Sequence, residues 1–438
     1  MFANVGHWLR RRDKDLGRPR KRALLAWEFG AGRTHAYNLL GVAAHLRAAG
    51  IECLATLYDT AFDHEFAALG IPTVQNYVWP GWRQAGAAPP ARPPRSMTDV
   101  LANYGLADAG AVAAALAHYD GLFTLFNPDV VLCNHAFAGL LAARGRVPGV
   151  AIGSPVLLPP PVDGGFPCLE EDAHPSWSAD EILEGLNRGL TRAGRFPLER
   201  IADLLGADGI FPFGPQAFDP YASLRSEPIL APYIHGLRLP RRESTAPLGP
   251  AQARESATRR EVFVYLHGFV QHREPIMEGL LAIEHPVRAF IPGLTAENER
   301  RLEARGILVE SAPVAIDDIL ARSRCLVHHG GPNFTVLGLA AGLPQVILAK
   351  EFDNRTSAAF VEQRGLGFGT ILGQASSGYL AAAVHRAHSD EALRHACSAA
   401  APAFREWLYP DPTAFVAQAI CALVDASPPP AVLSDPEP

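Results

Sequence analysis

Residues 325–348 read CLVHHGGPNFTVLGLAAGLPQVIL, and this stretch decides the fold. The apolar run Cys325-Leu326-Val327 ends in His328-His329, then Gly330-Gly331-Pro332-Asn333 open what the pattern predicts as a helix reaching Ala341. Gly342-Leu343-Pro344 stops it, and Gln345-Val346-Ile347-Leu348 gives the next strand. Strand, glycine turn, helix, strand is the repeating unit of a parallel sheet. Glycines at such a turn allow two readings that stay open here. They permit tight packing, or they let a ligand approach backbone N–H groups at the positive end of the helix dipole, which suits a phosphate. Pro332 fits a helix start, where no N–H donor is required.

The same unit recurs on both sides. Toward the C-terminus, Asp353-Asn354 follows the strand, as a turn or as a carboxylate and amide able to hold vicinal hydroxyls. Upstream, 262–266, 287–291, 307–309 and 324–327 read as strands. Earlier still, 23–27, 51–57, 129–133 and 150–153 do so, with helical spacing at Leu39, Leu40, Ala43 and Leu46 and a helix around Leu140-Leu141. Between the two series, 240–260 is polar, rich in Arg and Pro, and lacks periodicity. The expected organisation is therefore a basic tail (1–22), a first Rossmann-like domain (23–239), a linker (240–260), a second Rossmann-like domain (261–426) and a proline-rich disordered tail (427–438). A length of 438 residues suits two cores better than one.

Composition narrows the classes. A net charge of −6 argues against a nucleic-acid binder. Six cysteines without CxxC spacing suggest neither zinc nor a disulfide framework, so a cytoplasmic location is expected. No apolar run in the sequence reaches the roughly 18 residues of a membrane span. The basic segment from Arg10 to Arg22 reads as a solvated tail, with weak attachment to an anionic membrane as its other reading. His328, His267 and His272 lack the spacing of a metal site with His329.

His329-Gly330-Gly331, Asn333, Thr335, Gly342-Leu343-Pro344, Asp353-Asn354 and Gly365-Leu366-Gly367 resemble, in order and spacing, the nucleotide-sugar signature of the UDP-glycosyltransferase superfamily. Its members include plant flavonoid and bacterial macrolide glycosyltransferases. The resemblance extends to Trp27-Glu28-Phe29-Gly30-Ala31-Gly32-Arg33-Thr34-His35, a first strand and loop ending in a histidine.

The resemblance implies a GT-B fold, α/β with two Rossmann-like domains facing across a cleft. It implies an inverting transferase that moves a hexosyl group from a UDP- or dTDP-sugar to a hydroxyl of a small hydrophobic or lipid acceptor, with no metal and no other cofactor. On this reading His329, Gly330, Gly331, Asn333 and Thr335 hold the diphosphate, Asp353 and Asn354 the sugar, and the loop with Ala312 and Pro313 the base. His35 is the general base, Asn134 its partner, and Trp79 and Trp82 line the acceptor pocket. Taken alone, His35 would be a capping or packed histidine in the first turn of an apolar helix.

Departures are visible too. Asn134 stands where the family has an aspartate, Phe334 replaces a small residue, Leu337 stands where plant members carry a glutamate, and no tryptophan lies near Val309-Glu310. They motivate two alternatives: a non-catalytic nucleotide-sugar-binding subunit, or a nucleotide-sugar epimerase of the same fold.

Overall fold

A computed structural model describes residues 20–30, 33–81, 94–163, 165–169, 174–237, 260–350 and 352–426. Trp82, most of the 240–260 linker and both tails lie outside them. The chain divides into two compact units: residues 1–213, 221–230 and 411–438, and residues 214–220 and 231–410.

The first unit is built on a six-stranded sheet. Its strands are β1 (Arg22–Trp27), β2 (Glu52–Leu57), β3 (Thr73–Gln75), β4 (Val130–Asn134), β5 (Gly149–Gly153) and β6 (Gly209–Pro212), in the order β3-β2-β1-β4-β5-β6. Every pairing is parallel. The inner strands are apolar along their length because helices cover both faces, as parallel sheets require. The helices that matter here are α1 (Arg33–Ala48), α2 (Ala109–Phe126) and α3 (Phe137–Ala143).

The second unit repeats the plan. Strands β7 (Glu261–Tyr265), β8 (Val287–Phe290), β9 (Leu308–Val309), β10 (Ser323–His328), β11 (Gln345–Ala349) and β12 (Gly367–Ile371) run in the order β12-β11-β10-β7-β8-β9. Counted within its own unit, each sheet has the order 3-2-1-4-5-6, the Rossmann arrangement. Its direction reverses between β1 and β4, and between β7 and β10. Ligands of such sheets bind beyond the strand ends at that reversal. Helices α4 (Pro332–Ala341) and α5 (Phe352–Gln363) follow β10 and β11. Gly342 ends α4 at φ 68°, the left-handed conformation that glycine adopts without steric cost.

Three expectations change. The edge strands β3, β6 and β12 were not among the strands expected. They are short or carry proline and glycine, which the sequence pattern scores against strand. The last helix, α6 (Pro412–Ala426), was placed with the second domain but belongs to the first unit, where it packs on α1. Its inward residues Val416, Ala417 and Ile420 are buried. Finally, α2 is one helix of 18 residues, apolar enough by composition to cross a membrane, although no apolar run of that length was expected. Its Val112, Ala115, Leu116, Tyr119 and Phe123 belong to the core of the first unit.

Among the described residues, Glu28 and Asp99 are the carboxyl groups buried in this unit, and Glu28 lies beside the sheet. Glu28 directly follows β1 and is 1% exposed. Its Oε1 accepts from the Tyr119 hydroxyl (2.7 Å) and the Gly139 N–H (2.8 Å), and its Oε2 from the Ala138 N–H (3.1 Å) and the Trp79 indole (3.2 Å). The Tyr119 oxygen in turn accepts from Asn76 at 3.0 Å. Burial raises the Glu28 pKa to about 7 against the opposing pull of these donors. Trp79 was expected to line an acceptor pocket. It is instead 1% exposed, held by Glu28 and packed on Phe29.

Glu28→Gln is predicted to turn an amide NH2 toward N–H groups that have no lone pair to offer. The loss is expected to be about 1–3 kcal/mol, seen as a lower urea midpoint with unchanged far-UV circular dichroism. An unchanged midpoint would show that the four bonds do not hold this core.

Candidate functional site

In each unit, candidate site residues from the sequence lie at the reversal point of its sheet. In the second unit the last paired residues of β7 and β10 are Tyr265 and His328. His328 is fully buried and uses both ring nitrogens. The Gly330 N–H donates to its Nδ1 at 3.1 Å, and Nε2 lies 2.8 Å from Oε1 of Gln345. A backbone N–H can only donate, so Nδ1 accepts and the ring proton sits on Nε2. The Gln345 amide is fixed as well, because its Nε2 donates to the Thr335 carbonyl at 3.2 Å. A Cβ on Gly338 would meet that side chain at 2.7 Å, so α4 carries glycine there. Gln345 and His328 therefore shape the glycine loop, a role that sequence reading did not assign to either. Burial lowers the His328 pKa to about 4.

The loop they shape is close-packed. Gly330 has φ 87°, and a Cβ on it would lie 2.7 Å from the Ile347 side chain and 2.9 Å from the Asn354 carbonyl oxygen. The structure thus brings Gly330 against the first turn of α5, where Asp353 and Asn354 sit. Asp353-Asn354 is helical rather than a turn. Asn354 is 5% exposed.

Gly331 caps α4 and Pro332 occupies its first turn. The N–H groups of Asn333 and Phe334 have no intrahelical acceptor, as at any helix start. His329 is half-buried beside them, and its Nδ1 makes no well-aligned hydrogen bond among the described residues. Burial, with His267 and His328 adding to it, lowers the His329 pKa to about 3 against the opposing pull of the Tyr265 backbone, so the ring is neutral. Its ring centre lies 4.3 Å from that of His267 and 5.0 Å from that of Tyr265.

Two residues expected to bind the diphosphate are otherwise engaged. The Asn333 amide donates to the Tyr233 carbonyl at 2.7 Å. Thr335 is fully buried, and its hydroxyl donates to the Gly331 carbonyl at 3.1 Å. Their side chains buttress the helix start. Phe334 packs edge-on against Tyr265 and His328, which fills the space of the small residue it replaces. Ala312 and Pro313 are exposed in the loop after β9, and Arg288 pairs with a residue on each side of that loop, Glu310 at 2.6 Å and Asp318 at 2.5 Å. With His328 committed to Gly330 and Gln345, no group of metal-binding side chains forms among the described residues.

In the first unit the last paired residues of β1 and β4 are Trp27 and Asn134. His35, in the first turn of α1, meets Asn134 there: Nδ1 to Oδ1 is 2.8 Å. The Asn134 amide donates to the His35 carbonyl at 3.4 Å, which assigns Oδ1 as the acceptor facing the ring. The ring proton therefore sits on Nδ1, and Nε2 carries the lone pair. A Cβ on Gly30 would lie 2.3 Å from that Nε2, so glycine at φ 92° leaves the nitrogen approachable. Burial lowers the His35 pKa, partly offset by the Asn134 bond. Trp27 stacks on the ring at 5.6 Å.

With this geometry established, comparison with known proteins gives a consistent answer for the fold. Residues 277–423 match the family model "Erythromycin biosynthesis protein CIII-like, C-terminal domain". The calicheamicin glycosyltransferase CalG4 is similar in structure, with TM-score 0.63 and 19% identity over 94% of this chain and 100% of that one. The fold is GT-B. The spinosyn rhamnosyltransferase SpnG in complex with thymidine diphosphate is also similar (TM-score 0.60, 17% identity, 91% of this chain and 100% of that one). So is the glycosyltransferase SnogD from Streptomyces nogalater (TM-score 0.57, 20% identity, 92% and 99%). Among curated proteins compared by sequence, none matches.

The buried His328 generates a pH prediction. A histidine whose folded pKa is depressed stabilises the fold fully above its unfolded value of 6.5 and ceases to do so as pH falls toward about 4. His328→Asn should therefore lower the melting temperature at pH 7.5 and lower it much less at pH 4.5. Equal losses at both values would contradict the assignment of a neutral ring.

Proposed function

We propose that this chain transfers a hexosyl group from a UDP- or dTDP-sugar to an acceptor hydroxyl with inversion at the anomeric carbon. The observation that carries this reading is the convergence at Gly330. There a helix start, a neutral histidine, and the first turn of α5 come together at the reversal point of a Rossmann sheet. Those groups suit a diphosphate and the sugar hydroxyls beside it. The thymidine diphosphate carried by SpnG supports a nucleoside diphosphate as the ligand.

On the family resemblance, His35 of the first unit is the base. Its Nε2 takes the acceptor proton as the oxygen attacks the anomeric carbon. The bond from that carbon to the diphosphate oxygen breaks, and the leaving group keeps the electron pair. Its growing negative charge is stabilised by the N-terminus of α4. Asn134 orients the imidazolium that forms but adds no charge to it, unlike a carboxylate. An acceptor of small hydrophobic or lipid type follows from the family resemblance.

Titration calorimetry with UDP and dTDP is expected to show binding that His329→Ala weakens by about tenfold, in line with a lost hydrogen bond to a charged group. If neither nucleotide binds, the reading fails. With a nucleotide sugar and an acceptor panel, His35→Ala should abolish transfer and leave nucleotide affinity unchanged. Slow donor hydrolysis that survives His35→Ala, with no transfer by either form, would favour a binding subunit. Because the His35 pKa is depressed below 6.5, the acid limb of kcat/KM should lie below pH 6.5. Asn134→Asp should move that limb to higher pH by favouring the imidazolium.

A further inference from the structure

His135 is the residue the proposed reaction leaves unused. It follows β4 directly, one position beyond Asn134, and its φ of 52° is left-handed, which is uncommon for any residue but glycine. The backbone is held there from the other side of the reversal point. The His135 carbonyl accepts from the N–H groups of Glu28 (3.4 Å) and Phe29 (3.2 Å).

The side chain is 4% exposed. Neither ring nitrogen makes a well-aligned hydrogen bond among the described residues. Burial drives its pKa well below the ordinary value, His35 adds to that, and the Phe29 backbone offsets little of it. The ring is neutral, with one donor and one acceptor. Its surroundings are aromatic: Phe29 at 5.6 Å, Tyr104 at 5.7 Å, Phe137 at 5.3 Å between ring centres. His35 also stacks on it, at 5.7 Å and 29°.

A phenylalanine or leucine would fill such a pocket without burying two polar atoms that lack a well-aligned partner. Buried polar groups without partners are rare in folded proteins, and strained backbone collects at functional sites. Here both features fall on one residue, beside the nitrogen assigned as base. His35 spends Nδ1 on Asn134, so an acceptor oxygen meets it at Nε2. A hydrogen bond spans about 2.8 Å between heavy atoms. With ring centres 5.7 Å apart, an oxygen on the carbon next to the reacting one comes within reach of His135.

We propose that His135 is a specificity-determining residue of the acceptor site, which hydrogen-bonds a second oxygen adjacent to the hydroxyl that His35 activates. The acceptor class is then compounds with oxygens on neighbouring carbons, such as catechols and vicinal diols, rather than isolated alcohols. This rests on the transferase reading above.

The test uses the full chain and two probes of one scaffold, 4-methylcatechol and 4-methylphenol, with affinity read by calorimetry or ligand-observed NMR. The native protein is expected to bind the catechol about tenfold tighter, the contribution of one hydrogen bond between neutral groups. His135→Phe should bring the ratio to about one, leave the affinity for the phenol unchanged, and leave dTDP binding untouched. His135→Gly keeps the left-handed backbone and is read in the same way if the first variant does not fold. A native protein that does not separate the two probes overturns the proposal, as does a ratio that survives both substitutions. Failure of dTDP to bind would overturn the transferase reading without altering the probe ratio.

Discussion

The first unit turns on the Glu28 carboxyl. A buried carboxylate is costly unless every lone pair is answered. Here the answers come from α2 through Tyr119, from the start of α3 through Ala138 and Gly139, and from the Trp79 segment. Those elements bound the reversal point between β1 and β4. Because Glu28 immediately follows β1, the same bonds fix where the chain leaves the sheet toward Gly30 and His35. The second unit uses a different group for the same task. His328 is the last residue of β10, and its bonds to Gly330 and Gln345 fix where the chain leaves for α4.

Both arrangements are invisible to hydrophobic patterning. The inner strands were legible because parallel strands covered on both faces read as apolar runs, and α4 because glycine and proline bracket it. Edge strands β3, β6 and β12 carry little such signal, since one side of each lacks a partner and their residues are few or small. The position of α6 could not be read at all. Its amphipathic pattern says that one face is buried, and only tertiary structure says against what.

The site shows the same division. Spacing singled out His329, Gly330, Gly331 and Asp353-Asn354 as candidates, and the structure brings Gly330 against Asn354. The side-chain roles were less legible. Asn333 and Thr335 look like ligand contacts in the motif, yet their polar atoms bond the Tyr233 and Gly331 carbonyls. Trp79 looks like a pocket wall and is a core residue. A motif records which residue types a site needs, whereas hydrogen-bond partners depend on chain segments far apart in sequence, such as the 100 residues between Tyr233 and Asn333.

The duplicated strand order has a practical consequence. In each unit a histidine stands one residue past the last paired position of the fourth strand, His135 after Asn134 and His329 after His328. The two sheets are otherwise alike in plan, so what sets the surroundings of these two histidines apart is the short segment that leaves each strand end. Sheet and segment are therefore separable parts. For protein engineering, the surroundings of His35 and His135 can be redrawn by exchanging the segments after β1 and β4 for those of other GT-B chains, with the ladder and its core left as they stand.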